Sequence, residues 1–87
     1  KELPNTITPD GDGVNDVWNI PGIENHPQVL VMIYNRWGNT VFESTGYNEP
    51  WDGTHEGNDL PTGSYYYIID YNTQGVENLS GTVNIIR

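Results

Sequence analysis

Ten glycines and six prolines punctuate this chain of 87 residues from one end to the other, and that spacing limits its fold more than any other feature. In a helix interior glycine costs about 1 kcal/mol and proline about 3 kcal/mol relative to alanine. The longest runs free of both, residues 28–37 and 64–74, are rich in β-branched and aromatic side chains, which fit a pleated surface better than a helix. The sequence therefore predicts an all-β chain with no helix beyond a single turn.

Residues 29–35 (VLVMIYN) form the strongest predicted strand. A nearly continuous apolar run suits a central strand covered on both faces, or on one face with Met32 and Tyr34 capping the other. Arg36, Trp37, Gly38 and Asn39 follow as a turn, and residues 40–44 return as the second arm of a hairpin. Residues 65–71 put Tyr65, Tyr67, Ile69 and Tyr71 on one face. Residues 79–86 alternate most clearly, with Leu79, Val83 and Ile85 opposite Ser80, Thr82 and Asn84. Shorter strands are expected near residues 5–8 and 17–20. Between them lie loops at 9–16, 21–27, 46–63 and 72–78. Six or seven strands so separated predict an antiparallel β-sandwich rather than a parallel sheet, in a single domain over residues 1–87.

A domain of this size has a thin core. Cysteine is absent, so neither disulfides nor thiolate chemistry is available. Stability has to come from dense aromatic packing, from a bound ion, or from both; three Trp and six Tyr supply the first. The formal net charge of −9 repels phosphate backbones and anionic lipid, which argues against nucleic-acid binding and direct membrane insertion. It fits an extracellular domain and cation binding. No apolar run approaches the ~20 residues of a membrane span. The chain starts at Lys1 without an initiator methionine and reads as a piece of a longer exported polypeptide.

The sharpest chemical pattern is Pro9-Asp10-Gly11-Asp12-Gly13-Val14-Asn15-Asp16. Carboxylates at alternate positions, glycines between them and a further acid four residues on can wrap oxygens around calcium. Asp10, Asp12 and Asp16 are the expected side-chain ligands, with the Val14 carbonyl and Asn15 as additional ones. The loop resembles half of an EF-hand or a thrombospondin-type calcium repeat and lacks the full twelve-residue loop and its terminal bidentate Glu, so a full site needs ligands from elsewhere. The competing reading is a loop held by Asx turns with its acids solvated.

Other patterns carry less. His26 and His55 sit on separate loops without zinc-site spacing. Ser64, His55 and Asp52 are the residues a hydrolytic reading would need, yet nothing like a nucleophile elbow surrounds any serine, and no enzyme is expected. Leu60-Pro61-Thr62-Gly63 reads as a turn leading into the Tyr65 strand. Trp18, Trp37 and Trp51 are expected in core and corner packing rather than as a sugar-stacking platform. Trp51-Asp52-Gly53 reads as an anchored turn with its indole buried and its carboxylate on backbone N–H groups. Arg36, the one basic side chain between the termini, is expected to stack on an aromatic face or pair with a carboxylate.

Taken in order, several blocks resemble the gliding-motility-associated C-terminal domain, the type B sorting domain of the Bacteroidota type IX secretion system. They are Asn5-Thr-Ile-Thr-Pro-Asp-Gly-Asp-Gly-Val-Asn-Asp16, Ile33-Tyr-Asn-Arg-Trp-Gly38, Val41-Phe42-Glu43, Trp51-Asp52-Gly53-Thr54, Leu60-Pro61-Thr62-Gly63, Tyr65-Tyr66-Tyr67 and Gly81-Thr-Val-Asn-Ile85. The resemblance runs from about Leu3 to Arg87. It implies an immunoglobulin-like or fibronectin III-like β-sandwich at the C-terminus of a large secreted cargo, such as an adhesin or surface enzyme. The type IX translocon and associated outer-membrane sorting proteins would recognise it, and the cargo would pass through the periplasm to the cell surface or medium. No catalytic residues transfer. The surfaces expected to meet the partner are the Asp10–Asp16 loop, the turn of Arg36, Trp37 and Gly38, and the last strand's edge near Arg87, where an added strand could pair. A second reading, from a different class, is a calcium-dependent carbohydrate-binding or adhesive module. It would show exposed, coplanar Trp and Tyr rings beside the Asp loop.

Overall fold

The computed structural model describes residues 3–87; Lys1 and Glu2 lie outside the described residues. Seven strands run in chain order: β1 (Thr6–Ile7), β2 (Leu30–Tyr34), β3 (Thr40–Thr45), β4 (Thr54–His55), β5 (Asn58–Asp59), β6 (Gly63–Asp70) and β7 (Leu79–Ile85). Among the described residues the one helical element is a single 3₁₀ turn, Ile23–Asn25, within the limit the breakers impose. Five strands form a sheet in the order β1-β7-β6-β2-β3, and β4 with β5 makes a separate two-stranded hairpin. The result is an all-β sandwich, as expected. Its pairings are antiparallel except at one edge, where β1 runs parallel to β7.

β2 shows why its sequence is apolar almost throughout. Val31 and Ile33 are fully buried in the core, while Leu30, Met32 and Tyr34 are half-buried on the opposite face. A bulge in β3 opposite Ile33 and Tyr34 lets two successive residues, Val41 and Phe42, both reach the core. Strict alternation returns in β6 and β7, where Tyr65, Ile69, Val83 and Ile85 are buried. Gly81 breaks the β7 apolar row for a steric reason. A Cβ there would meet the Tyr67 hydroxyl at 2.9 Å and its ring at 3.1 Å, because Tyr67 pairs across from Gly81 and lies over it.

The layer facing the sheet is built largely from connecting segments. Residues 17–20 are not a strand, contrary to expectation. Trp18 and Ile20 are buried in the core, and this segment is tied to a distant loop by the Trp18 N–H donating to the Trp51 carbonyl at 2.8 Å. That single bond anchors the segment without making a ladder. Tyr47 completes the junction. Its hydroxyl donates to the Trp18 carbonyl at 2.7 Å and accepts the Trp51 N–H at 2.9 Å. Four backbone groups from two distant loops are thus paired at one point. Around it Trp18 tilts over Tyr67 at 4.8 Å between centroids, and Trp51 meets Tyr65 at 5.8 Å and Phe42 at 6.4 Å.

Burial pushes the Tyr47 phenol up to about 12 from its ordinary 10.0. The folded state therefore holds this proton more tightly than the unfolded chain. The associated stability is complete below pH 10 and is lost as the pH rises towards about 12. Tyr47→Phe should lower the unfolding free energy by about 1–3 kcal/mol, since it leaves the Trp18 carbonyl and the Trp51 N–H buried without partners. Urea unfolding followed by Trp fluorescence measures the loss. The same variant should show a shallower decline of stability in that alkaline range, and an unchanged alkaline profile would contradict the role given to this hydroxyl.

Candidate partner-binding surface and acidic loop

The acidic loop forms a compact knot. Both Asp16 oxygens face backbone donors, taking the N–H groups of Asp10 at 3.1 Å, Gly11 at 3.0 Å and Gly13 at 2.7 Å. Asp10 Oδ1 accepts the Asp12 N–H at 3.1 Å, and Asp12 Oδ1 accepts the Val14 N–H at 2.8 Å, two successive Asx turns. Asn15 adopts a left-handed backbone, φ 55°, and its carbonyl accepts the Thr8 N–H at 2.8 Å. The Val14 carbonyl faces the Thr8 hydroxyl at 3.4 Å. Carboxylate oxygens of Asp10, Asp12 and Asp16 all lie within 4.8 Å of one another. Both readings of the sequence, Asx-turn loop and convergent carboxylates, thus describe the same geometry. Each carboxylate oxygen carries two lone pairs, so acceptance of a backbone N–H leaves capacity for a cation.

The second candidate surface is the β2–β3 turn. Asn35 organises it: its N–H donates to the Asn39 carbonyl, its carbonyl takes the Gly38 N–H, and its side-chain oxygen accepts the N–H groups of Trp37 and Asn39 at 2.9 and 3.0 Å. Trp37 is 72% exposed, which corrects the expectation that all three tryptophans pack internally. Trp18 and Trp51 do. Trp37 stands in the turn after β2 and carries the Arg36 guanidinium 4.4 Å above its ring. That stacking matches the partner expected for Arg36. Two concavities flank the turn. One is lined by Trp37 and residues 61–65, the other by Tyr34, Tyr66, Ile68 and residues 80–82, and neither has an acidic lining residue.

Arg87 occupies a different setting. Its side chain is 25% exposed; Nε donates to the Leu60 carbonyl and Nη2 to the Gly53 carbonyl, each at 2.7 Å. Asp59 stands 3.9 Å from Nη1. Arg87 thereby clamps the β4–β5 hairpin to the end of β7. Gly53 makes the clamp possible, since a Cβ there would sit 3.2 Å from Nη2 and the backbone is at φ +82°. Sequence reasoning gave no sign of this contact, because its partners are backbone carbonyls far away in the chain. The Trp51-Asp52-Gly53 corner has the predicted form: Trp51 is buried, and Asp52 Oδ1 accepts from the Thr54 N–H and hydroxyl.

The residues considered for hydrolysis are dispersed among other partners. Ser64 donates to Asn84 Oδ1 at 2.6 Å, Asp52 is held by Thr54, and His55 faces Glu56 at 3.9 Å. His26 packs edge-on against Tyr71, 4.6 Å between centroids.

Electrostatically, the acidic loop is the site with a distinct signature. The Gly13 N–H, followed by those of Gly11 and Asp10, holds the Asp16 carboxyl below its ordinary 3.8 against a smaller opposing desolvation. A depressed folded-state value means that the stabilisation is complete above pH 3.8 and is lost as the pH falls through the lower folded value. Asp16→Asn should therefore reduce stability at neutral pH and flatten the acid limb of the stability profile. Thermal melts between pH 7 and pH 2 test this, and an acid limb identical to wild type would exclude Asp16 as its source.

No curated protein and no solved structure matches this chain. Residues 1–85 match the family model described as the CHU_C type IX secretion signal domain. This accords with the ordered motif blocks and the all-β sandwich, and the chain belongs to that family.

Proposed function

We propose that this domain is the C-terminal sorting signal of a large exported cargo in a gliding Bacteroidota bacterium, recognised by the type IX translocon and its outer-membrane sorting proteins. It acts by protein–protein contact and without catalysis, and the cargo, an adhesin or surface enzyme, travels through the periplasm to the cell surface or medium. The observation that carries this reading is the family match over nearly the whole chain. The exposed Arg36–Trp37 pair supports a contact at the turn of Arg36, Trp37 and Gly38. Interface hot spots are enriched in Arg and Trp, and this pair stands on a rigid, hydrogen-bonded turn between two concavities without acidic lining. Arg87 contributes indirectly, by fixing the β4–β5 hairpin.

The carbohydrate-binding alternative asks for several exposed rings beside the acidic loop. Two of the three tryptophans are in the core, and the third has a guanidinium over one face of its ring. Those facts favour the sorting role.

The test is a transplant. Residues 1–87 are placed behind a periplasmic export signal and a fluorescent reporter in a gliding bacterium that has its sorting helper proteins, with and without a working type IX system. Reporter on the surface or in the medium, dependent on the system, is the expected outcome; a reporter retained in the periplasm in both strains would overturn the proposal. Arg36→Glu and Trp37→Ala alter exposed side chains and should leave the melting curve unchanged while cutting export by about tenfold, a loss of about 1.4 kcal/mol in recognition. Export at wild-type levels would remove the turn from the contact.

The acidic loop supports a second element, calcium bound by Asp10, Asp12 and Asp16 with the Val14 carbonyl and Asn15 completing the set. Its support is the convergence of three carboxylates on one point. A chelator should then lower the melting temperature of the calcium-loaded domain, and Asp12→Ala should abolish that response. A wild-type melt indifferent to chelator would sink the calcium assignment.

A further inference from the structure

The five-stranded sheet has two edges, and they are protected unequally. β3, at one edge, carries a bulge and the exposed charge of Glu43, and it lies against β4. Bulges and charges are the usual means by which an edge strand avoids pairing with other chains. The opposite edge is closed only in part. β1 covers β7 at Asn84 and Ile85 alone, with the Asn84 N–H donating to Asn5 at 2.8 Å and the Ile86 N–H to Ile7 at 3.0 Å. Near Arg87 the edge is therefore occupied, and the open part lies at the other end of the strand.

Backbone parity identifies the groups left open. In a strand the N–H and C=O of alternate residues point to the same side. Asn84 and Ile86 point theirs at β1, so Thr82 and Ser80 point theirs outward beyond the end of β1. β1 does not pair with them: its ladder begins at Thr6 opposite Asn84, and just upstream the Pro4 carbonyl accepts the Trp18 indole N–H at 2.6 Å. Among the described residues β7 meets no element besides β6 and β1, and residues 79–82 are all exposed. This stretch, Leu-Ser-Gly-Thr, has no charge, no proline and no bulge.

We infer that the open half of β7, Leu79 to Val83, accepts an extended segment of another polypeptide as an added strand, paired through the outward N–H and C=O groups of Ser80 and Thr82. This rests on the sorting reading for the partner's being a protein and adds the mode and place of its attachment. Charge determines what kind of strand it is. A second copy of this chain could pair edge to edge, but each copy brings a net charge of −9, and self-repulsion opposes that arrangement. Glu77 stands just before the open stretch, and Asp70 ends the neighbouring β6 at the same end. The occupant is therefore a strand with flanking Lys or Arg residues.

Amide hydrogen exchange tests this on the intact domain. The probe is a synthetic peptide of alternating Thr and Val with a Lys at each end; the controls replace both Lys by Glu or carry N-methyl groups on alternate amides. In the free domain Ser80 and Thr82 should exchange rapidly while Asn84 and Ile86 are protected. The Lys peptide should slow exchange at Ser80 and Thr82 by about tenfold, and both controls should fail to do so. Thr82→Pro deletes only an outward donor at an edge position, where proline is tolerated, and should abolish the effect while Asn84 and Ile86 stay protected. The inference is overturned if Ser80 and Thr82 are already protected in the free domain, if the Lys peptide protects neither, or if the N-methylated peptide protects them equally well. No secretion machinery is involved, so the two readings separate. Protection by the peptide with a reporter stranded in the periplasm would leave the edge assigned and remove the sorting role. The reverse result would remove the edge alone.

Discussion

The Tyr47 hydroxyl, held between the Trp18 carbonyl and the Trp51 N–H, is the contact on which the remaining packing depends. A five-stranded sheet with one apolar face needs a second layer, and this chain supplies it mainly from loops. Loops carry backbone N–H and C=O groups that cannot be buried unpaired. By satisfying two of these groups beside the direct Trp18–Trp51 bond, Tyr47 lets both indoles sit in the core. Trp18 then covers Tyr67, which lies over Gly81, and Trp51 packs against Tyr65 and Phe42. Both sides of the junction thereby reach β6, and Trp51 reaches β3 as well.

The same arrangement separates the surface into regions of different chemistry. Most of the acids are carried on loops and at strand ends, with Glu43 inside β3, and Asp16 shows how tightly such a loop can be tied by its own backbone amides. Of the two arginines, Arg87 spends its donors on internal carbonyls, whereas Arg36 rests on an indole with its charge facing outward.

Parts of the site were legible in the sequence because they are local. The Asx turns of the acidic loop, the Trp51-Asp52-Gly53 corner and the stacking of Arg36 on a ring all involve neighbours within a few residues. The clamp by Arg87 was not legible, since Gly53 and Leu60 accept through carbonyls that every residue possesses. The β4–β5 hairpin was hidden for a related reason: strands of two residues are too short to show a period.

Composition and periodicity by themselves determined that this chain is all-β and where its long strands run, and the local pattern placed Asp10, Asp12 and Asp16 in one loop, because breakers and alternation act residue by residue. Tertiary structure decided the rest. It made residues 17–20 a packed segment and not a strand, since Trp18 finds one backbone partner in Trp51 and no ladder. It turned Trp37 outward, set β1 parallel to β7, and confined their ladder to Thr6 and Ile7. Those outcomes depend on which distant group stands opposite, and a pattern confined to one stretch of sequence holds no record of that.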